Sequence, residues 1–261
     1  MEVSLKGKQA LIGGSSKGIG LAIAKQLASS GASVCLMARN KSKMKEIIKN
    51  LPSDKGQVHH FLEVDFSDFN GFKVKLDIFF KKNKIDILVN NTQGPPSGNS
   101  LSKSIQDYQT SFDLLFKNIV YATTLAMSHM KRQGWGRIIN IASISVREPL
   151  NYLVLSNTIR AAVVTWGKSL SFDVAQYGIT VNSILTGYFD TERIAQLNAA
   201  KAKSLNISES QVLLAMKEMV PVNRLGIPEE YGYLVSFLAS NKAAYINGTA
   251  IPIDGGLLKS Y

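Results

Sequence analysis

Three glycines stand at a turn between an apolar segment and an amphipathic one, and their spacing is suited to binding a phosphate. They are Gly14, Gly18 and Gly20, within the segment Ile-Gly-Gly-Ser-Ser-Lys-Gly-Ile-Gly over residues 12–20. Glycine lets the backbone adopt positive φ and lets a ligand approach the main chain closely. A helix that follows such a turn presents unpaired N–H groups and a partial positive charge. We therefore expect this turn to bind a diphosphate rather than to be purely structural.

Strand-like and helix-like segments alternate around this turn and along the rest of the chain, without repeats or linkers. Strands are predicted at residues 9–12, 33–37, 58–64, 85–89, 137–141, 180–184 and 249–253, and helices at 21–28, 42–51, 69–82, 105–131, 153–175 and from Pro228. Residues 187–227 are less regular, and short helices are expected there. This alternation predicts an α/β fold with a doubly wound parallel sheet and ligands at the carboxyl ends of its strands, in one domain over residues 1–261.

Composition restricts the class of protein. The chain has 261 residues, 45% of them apolar, and contains one cysteine, Cys35, in an apolar segment. No long apolar run or leader is present, so we expect a soluble, cytoplasmic protein with no membrane partner and no internal disulfide. The net charge of +11 is typical of a solvated basic surface or of attraction to an anionic ligand. No nucleic-acid-binding motif accompanies the lysines, and the three histidines have no partners at metal-ligand spacing, so neither nucleic acid nor a metal is expected.

Several local motifs occur in a characteristic order. The Gly-x-x-x-Gly-x-Gly turn is followed by Val-Asp-Phe-Ser at 64–67, Val-Asn-Asn at 89–91, Asn118, Asn-Ile-Ala-Ser at 140–143, Val-Asn at 181–182, Arg-Leu-Gly-Ile-Pro-Glu-Glu at 224–230 and Asp-Gly-Gly at 254–256. In this order the set closely resembles the short-chain dehydrogenase/reductase family over essentially the whole chain. The resemblance implies a Rossmann fold with seven parallel strands flanked by helices, binding NAD or NADP, and a homotetramer or homodimer.

The resemblance also implies roles for individual residues. Gly14, Ser16, Gly18, Ile19 and Gly20 would surround the diphosphate. Asp65 would face the adenine and Asn90 the adenosine ribose, although alone they could be a turn former and a strand-end cap. Gly187 belongs to a stretch similar to the family's Pro-Gly-x-x-x-Thr, in which Thr191 would meet the nicotinamide amide or the diphosphate; alternatively Thr191 is a helix N-cap. Residues 185–227 would form the cover over a small-molecule carbonyl or alcohol substrate.

The choice between NAD and NADP depends on the residues after the second strand. NAD-binding proteins with this fold typically place an acidic residue there to hold the ribose 2′-hydroxyl. This chain has Ala38, Arg39 and Asn40 instead. Arg39 can hydrogen-bond a 2′-phosphate, and Lys17 in the glycine turn adds a second positive charge, although either could be a surface residue. NADP(H) is therefore predicted in preference to NAD(H).

The catalytic segment departs from the family pattern of a serine followed by Tyr-x-x-x-Lys. Ser143 and Asn118 match their positions, but the aligned helix has Ser156 where the family has tyrosine and Arg160 where it has lysine. Arginine can hold a ribose hydroxyl, yet a serine hydroxyl is a poor general acid near neutral pH. The proton could come through water held by Ser156 and Asn118. Tyr152, one turn before Ser156, or Tyr188 could also replace the missing phenol, although an aromatic side chain at a helix start often serves in packing.

Two functional hypotheses follow from these residues. The first is an NADP(H)-dependent oxidoreductase that interconverts a ketone, with a 3-oxoacyl thioester as one candidate, and a secondary alcohol. In it Ser143 binds the substrate oxygen and Arg160 fixes the ribose. The second is a nucleotide-binding or scaffold protein that has lost the general acid.

Overall fold

Parallel strands form the centre of the fold in the computed structural model, which describes residues 2–260. Within those residues one seven-stranded sheet has the order β3-β2-β1-β4-β5-β6-β7. The strands are β1 (Gln9–Gly13), β2 (Ser33–Ala38), β3 (His60–Glu63), β4 (Ile87–Asn90), β5 (Gly136–Ile141), β6 (Ile179–Thr186) and β7 (Ala250–Ile253). The strands β2 and β3 lie on one side of β1, and β4 to β7 lie on the other side. The order of strands therefore reverses between β1 and β4, and the crevice at such a switch point is where this fold binds ligands.

Helices cover both faces of the sheet, as predicted. They are α1 (Gly18–Ser29), α2 (Lys41–Lys49), α3 (Phe69–Lys82), α4 (Ile105–Phe112), α5 (Asn118–Gln133), α6 (Val154–Val174), α7 (Glu192–Leu205), α8 (Glu209–Glu218) and α9 (Pro228–Leu238). Alternate residues of β1 enter different cores: Ala10 and Ile12 pack with α1 and α9, whereas Leu11 packs with α3, α5 and α6. The central strands are therefore buried on both faces, which explains their apolar sequences. The doubly wound α/β prediction is confirmed.

The long helix predicted over residues 105–131 contains one irregular turn. A π-helical turn over Asp113–Lys117 joins α4 to α5, and α5 ends at Gln133 with Gly134 in the left-handed conformation. The π turn inserts one residue per turn, so it rotates the residues after it relative to α4. Asn118 is the first residue after the turn and is directed into the protein interior.

Cys35 lies in the middle of β2 and is 5% exposed. Burial in this apolar environment raises the pKa of its thiol to about 12, so the thiol stays protonated near neutral pH. The interpretation of Cys35 as a small core residue therefore agrees with its surroundings.

Among residues 2–260, no helix combines the length and the apolar character needed to span a bilayer.

Candidate active site

A cavity of about 1170 Å³ lies along the carboxyl ends of the strands. Its walls come from the glycine turn after β1, the loops after β2, β4, β5 and β6, the start of α6, and α7. The residues predicted from sequence that line it are Gly14, Ser16, Lys17, Gly18, Ile19, Gly20, Arg39, Ser143, Tyr152, Ser156, Arg160, Gly187, Tyr188 and Thr191. A volume of this size accommodates a dinucleotide together with a small substrate.

The glycine turn is shaped by close backbone contacts that a side chain would prevent. Gly14 and Gly18 have φ angles of +57° and +53°. A Cβ atom on Gly20 would lie 2.3 Å from the carbonyl oxygen of Gly14, so the turn and the start of α1 could not keep their separation. Lys17 precedes α1 and supplies no side-chain cap, which leaves the first N–H groups of the helix open to a ligand.

Positive charge is concentrated beside this turn. Lys17, Arg39 and Lys43 all line the cavity, and Lys43 comes from the first turn of α2. The Lys17 ammonium lies 2.6 Å from the carboxylate of Glu192 on α7. Among the residues that the structure describes, Glu192 is the one acidic residue in the cavity wall. The turn and its open N–H groups are suited to binding a diphosphate. The cations beside it are suited to binding a second, separate phosphate group of the same ligand.

Ser143 follows β5 and has a hydroxyl whose orientation is fixed by a neighbouring serine. The backbone N–H and the hydroxyl of Ser145 donate to Ser143 Oγ over 3.1 Å and 2.9 Å. Because the oxygen accepts both bonds, its own hydrogen is the one it can direct at a ligand in the cavity. Ser143 is therefore placed as a hydrogen-bond donor.

Ser156 and Arg160 lie one turn apart on α6, and both face the cavity. Arg160 Nε donates to Ser156 Oγ over 3.3 Å, and its Nη1 donates to the carbonyl oxygen of Ile141 at the end of β5. Burial lowers the pKa of Arg160 to about 10, and Arg193 contributes to this shift. The guanidinium is still positively charged at neutral pH. The alignment that equates these residues with the family's Tyr-x-x-x-Lys pair stays a prediction.

Two phenols share the cavity with Ser156. Tyr152 precedes α6 and is 38% exposed, and Tyr188 follows β6. Burial raises the pKa of both phenols, and each affects the pKa of the other. Both are therefore protonated at neutral pH and able to donate a hydrogen bond.

Asn118 is 1% exposed and is not among the residues that line the cavity. Its Nδ2 donates to the carbonyl oxygens of Phe66 and Leu114 over 2.6 Å and 3.2 Å. Its Oδ1 is buried without a hydrogen-bond partner among the described residues. The structure therefore does not bring this side chain beside Ser156, and its part in ordering water stays a prediction.

Two other predicted residues lie outside the cavity wall. Asn90 is 5% exposed and donates to Asn140 Oδ1 and Thr123 Oγ1 over 2.8 Å and 3.0 Å. Asp65 accepts from the backbone N–H and hydroxyl of Ser67, and these bonds lower the pKa of its carboxyl group. In this structure Asn90 ties β4 to its neighbours and Asp65 forms a turn. Their roles toward a cofactor stay predictions.

The chain after β6 closes one side of the cavity. Gly187 lies against β7, and a Cβ atom on it would be 2.6 Å from the Asp254 Cα. Thr191 caps α7 by accepting from the backbone N–H of Ile194 over 3.4 Å, as its alternative interpretation predicted, and its side chain also lies next to Gly18. The helix α7 lines the cavity along most of its length. Whether residues 185–227 move as a cover stays a prediction.

Three of the residues in the wall that sequence reasoning missed are Asn91, Lys43 and Arg193. Asn91 Nδ2 donates to the carbonyl oxygen of Gly13 over 3.0 Å, so it supports the glycine turn from the end of β4. In the sequence, the pair Asn90-Asn91 indicated the end of a strand but not a contact with the glycine turn. Lys43 was interpreted as part of a surface run, and Arg193 lay in a region without a clear pattern.

Among residues 2–260, no group of three metal-binding side chains comes together.

Comparison with known proteins identifies the family. Residues 14–258 match the sequence profile of the family described as enoyl-(acyl carrier protein) reductase. The 3-oxoacyl-[acyl-carrier-protein] reductase FabG of Aquifex aeolicus (strain VF5) is 30% identical over 258 residues, covering 98% of this chain and all of the relative. The chain belongs to the short-chain dehydrogenase/reductase family. The fold and the ordered motifs both agree with this membership.

Other members of the short-chain dehydrogenase/reductase family are equally similar over their full lengths. The NADPH-dependent reductase BacG of Bacillus subtilis (strain 168) is 30% identical, covering 97% of this chain and 98% of the relative. The crystal structure of L-sorbose reductase from Gluconobacter frateurii, complexed with NADPH and L-sorbose, superimposes with a TM-score of 0.92. It is 30% identical, and each chain is covered completely.

Proposed function

We propose that this protein is an NADP(H)-dependent oxidoreductase that interconverts a ketone and a secondary alcohol. The observation that carries the proposal is that one cavity joins the glycine turn and its cations to Ser143, Ser156 and Arg160. Membership of an oxidoreductase family and the NADPH-dependent relatives support the same reaction class. The arrangement of polar groups is what a nucleotide site adjoining a carbonyl site requires.

The residues present fit the dinucleotide. Gly14, Gly18 and Gly20 leave room for the diphosphate, and Arg39 with Lys43 can hold a 2′-phosphate beside it. When bound, the nicotinamide supplies a hydride to the carbonyl carbon, while the carbonyl oxygen takes up a proton and becomes the alcohol. The protein must therefore hold that oxygen and provide a route for the proton.

The chain's own residues can perform both tasks without the usual phenol–lysine pair. Ser143 donates its hydroxyl hydrogen to the substrate oxygen, because Ser145 occupies its acceptor positions. Arg160 carries a positive charge at neutral pH and stabilises developing negative charge. Tyr152 and Tyr188 are protonated donors in the same cavity, and water held by Ser156 is the other route for the proton.

The presence of Ser156 at the position of the family's tyrosine favours a second candidate, a protein that binds NADPH without catalysing reduction. The two candidates give different results in one assay. NADPH oxidation is followed with a broad panel of ketones that includes 3-oxoacyl thioesters. Turnover of any of them rules out the second candidate, whereas tight NADPH binding with no turnover rules out the first.

Replacing Ser143 tests the proposed hydrogen bond to the substrate oxygen. We expect Ser143→Ala to lower kcat about 100-fold, the usual effect of removing a donor to a developing oxyanion. Ser169→Ala is the matched control, because Ser169 is exposed on α6 and bonds to Thr165 of its own helix. Steady-state rates of reduction measure both. A Ser143→Ala enzyme with wild-type kcat would contradict the assignment.

Replacing Arg39 tests the choice of cofactor. We expect Arg39→Gln to raise the Kd for NADPH about 10-fold and to leave the Kd for NADH unchanged, because a charge-assisted bond to the 2′-phosphate contributes about 1.5 kcal/mol. Fluorescence titration of the nicotinamide measures both constants. Lys45→Gln on the exposed side of α2 removes the same charge outside the cavity and serves as the control. Equal weakening of NADPH and NADH binding would count against a 2′-phosphate contact.

A further inference from the structure

Arg193 places a third guanidinium in the cavity besides those of Arg39 and Arg160, and the reduction as described above does not use it. It lies in the first turn of α7, and one face of its guanidinium rests on the loop after β4. Its Nη2 donates to the carbonyl oxygen of Pro95 over 2.9 Å, and a Cβ atom on Gly94 would lie 3.3 Å from the same nitrogen. Glycine at position 94 thus allows the guanidinium to lie flat on the backbone. The rest of the side chain is exposed to the cavity.

The electrostatic setting of Arg193 is unfavourable without an anion. A positive charge in the first turn of a helix opposes the helix dipole. Arg193 forms no ion pair within residues 2–260, and the cavity-lining carboxylate of Glu192 is already bonded to Lys17. Arg160 and Arg193 both line the cavity, and the repulsion between them adds to the lowering of the Arg160 pKa that burial chiefly causes. An anion bound between them would relieve that repulsion.

Arg193 also stands apart from the cations that match the cofactor's phosphates. Lys17 belongs to the glycine turn, and Arg39 and Lys43 follow β2. Arg193 instead contacts Pro95 in the loop after β4, and the same loop donates from the Gly98 N–H to the Tyr152 carbonyl oxygen over 2.7 Å, one turn before Ser156. The exposed N–H groups of Arg193 can bind a carboxylate through two parallel hydrogen bonds.

We infer that the substrate is an oxo acid, or the corresponding hydroxy acid, whose carboxylate binds to Arg193 while its carbonyl lies beside Ser143. This inference rests on the proposed function and narrows its substrate class. The chain between the carboxylate and the carbonyl has to span from Arg193 to Ser143, so acids with different separations of the two groups will differ in rate.

The test compares each acid with its uncharged methyl ester. The panel consists of pyruvate, acetoacetate and levulinate with their methyl esters, in which the carbonyl moves stepwise away from the carboxylate. We expect the wild-type enzyme to favour at least one acid over its ester by about 30-fold in kcat/KM, the effect of a charged hydrogen-bonded pair. Arg193→Gln should remove that preference and leave the ester within about 3-fold of wild type. Arg132→Gln, on the exposed end of α5, is the control.

Two binding measurements separate this inference from the proposed function. NADPH titration with Arg193→Gln should give the wild-type Kd, and thermal unfolding should show stabilisation by the acid but not by the ester. Stabilisation by an acid without turnover would uphold a carboxylate-binding site at Arg193 and overturn the proposed function. Turnover with no preference for an acid would do the reverse, and neither turnover nor stabilisation by any acid would overturn both. A tenfold weaker NADPH affinity in Arg193→Gln, with an unchanged acid preference, would assign Arg193 to the cofactor and overturn the inference.

Discussion

Gly20→Ala is expected to weaken NADPH binding by about 100- to 10,000-fold, because the turn would lose at least two hydrogen bonds to a charged group at 1.5–3 kcal/mol each. The new methyl group would lie 2.3 Å from the Gly14 carbonyl oxygen, and a backbone atom cannot move aside as a flexible side chain can. The glycine turn must therefore separate from the start of α1. Fluorescence titration with NADPH measures the loss.

The folded state of Gly20→Ala is checked separately by urea unfolding. Overpacking of this kind costs about 1–3 kcal/mol, which is smaller than the 5–15 kcal/mol that stabilises a typical domain. Gly56→Ala is the matched control: Gly56 also has a positive φ, of +82°, but a Cβ atom there meets nothing within 4 Å. A folded Gly20→Ala protein that binds NADPH as tightly as Gly56→Ala would contradict the assignment of this turn.

Arg160→Met is expected to lower kcat/KM for ketone reduction about 1000-fold. Methionine has a similar length but cannot donate to the Ile141 carbonyl oxygen or to Ser156, and it removes the positive charge from the reacting end of the cavity. Loss of the charge-assisted hydrogen bonds that Arg160 would donate to the nicotinamide ribose, at about 1.5–3 kcal/mol each, gives an effect of this size. Steady-state kinetics with NADPH and the best ketone of the panel measure it.

Two further variants define what Arg160 does. Arg160→Lys keeps the charge but has one nitrogen instead of three, so we expect it to restore part of the activity. Arg132→Met removes a surface charge and should behave as wild type. If Arg160→Met is folded and keeps more than a tenth of the wild-type kcat/KM, Arg160 has a structural role. Other residues must then supply the positive charge and the proton.

The titratable groups near Ser156 differ from those of a tyrosine–lysine pair. A lysine beside a tyrosine lowers the phenol pKa, whereas here the pKa values of Tyr152 and Tyr188 are raised by burial. These phenols give up a proton less readily, but they remain protonated and can donate a hydrogen bond at any pH near neutrality. Arg160 supplies charge without titrating in that range. Around neutral pH the phenols can therefore donate hydrogen bonds to an oxygen in the cavity without ionising.

The sequence by itself predicted the strands and helices with small errors at their ends, and a doubly wound parallel sheet, whereas the order of its strands came from the structure. Helix α3 was predicted over the residues that form it, because its apolar residues recur at helical spacing and Asp68 caps it. The sequence also predicted the glycine turn and the positions of Ser143, Ser156 and Arg160. These features depend on local spacing or on ordered motifs, which a linear sequence contains in full.

The tertiary structure decided which polar side chains face the cavity and which lie behind it. Asn90 and Asn91 are neighbours at the end of β4, yet successive side chains of a strand point to opposite faces; Asn90 entered the core network and Asn91 the cavity wall. Asn118 follows a π turn and donates to the carbonyl oxygen of Phe66, 52 residues earlier in the chain. Arg193 met Pro95, 98 residues earlier in the chain, only because α7 folds over the loop after β4. Contacts at such separations depend on packing between elements, for which spacing along the sequence gives no signal.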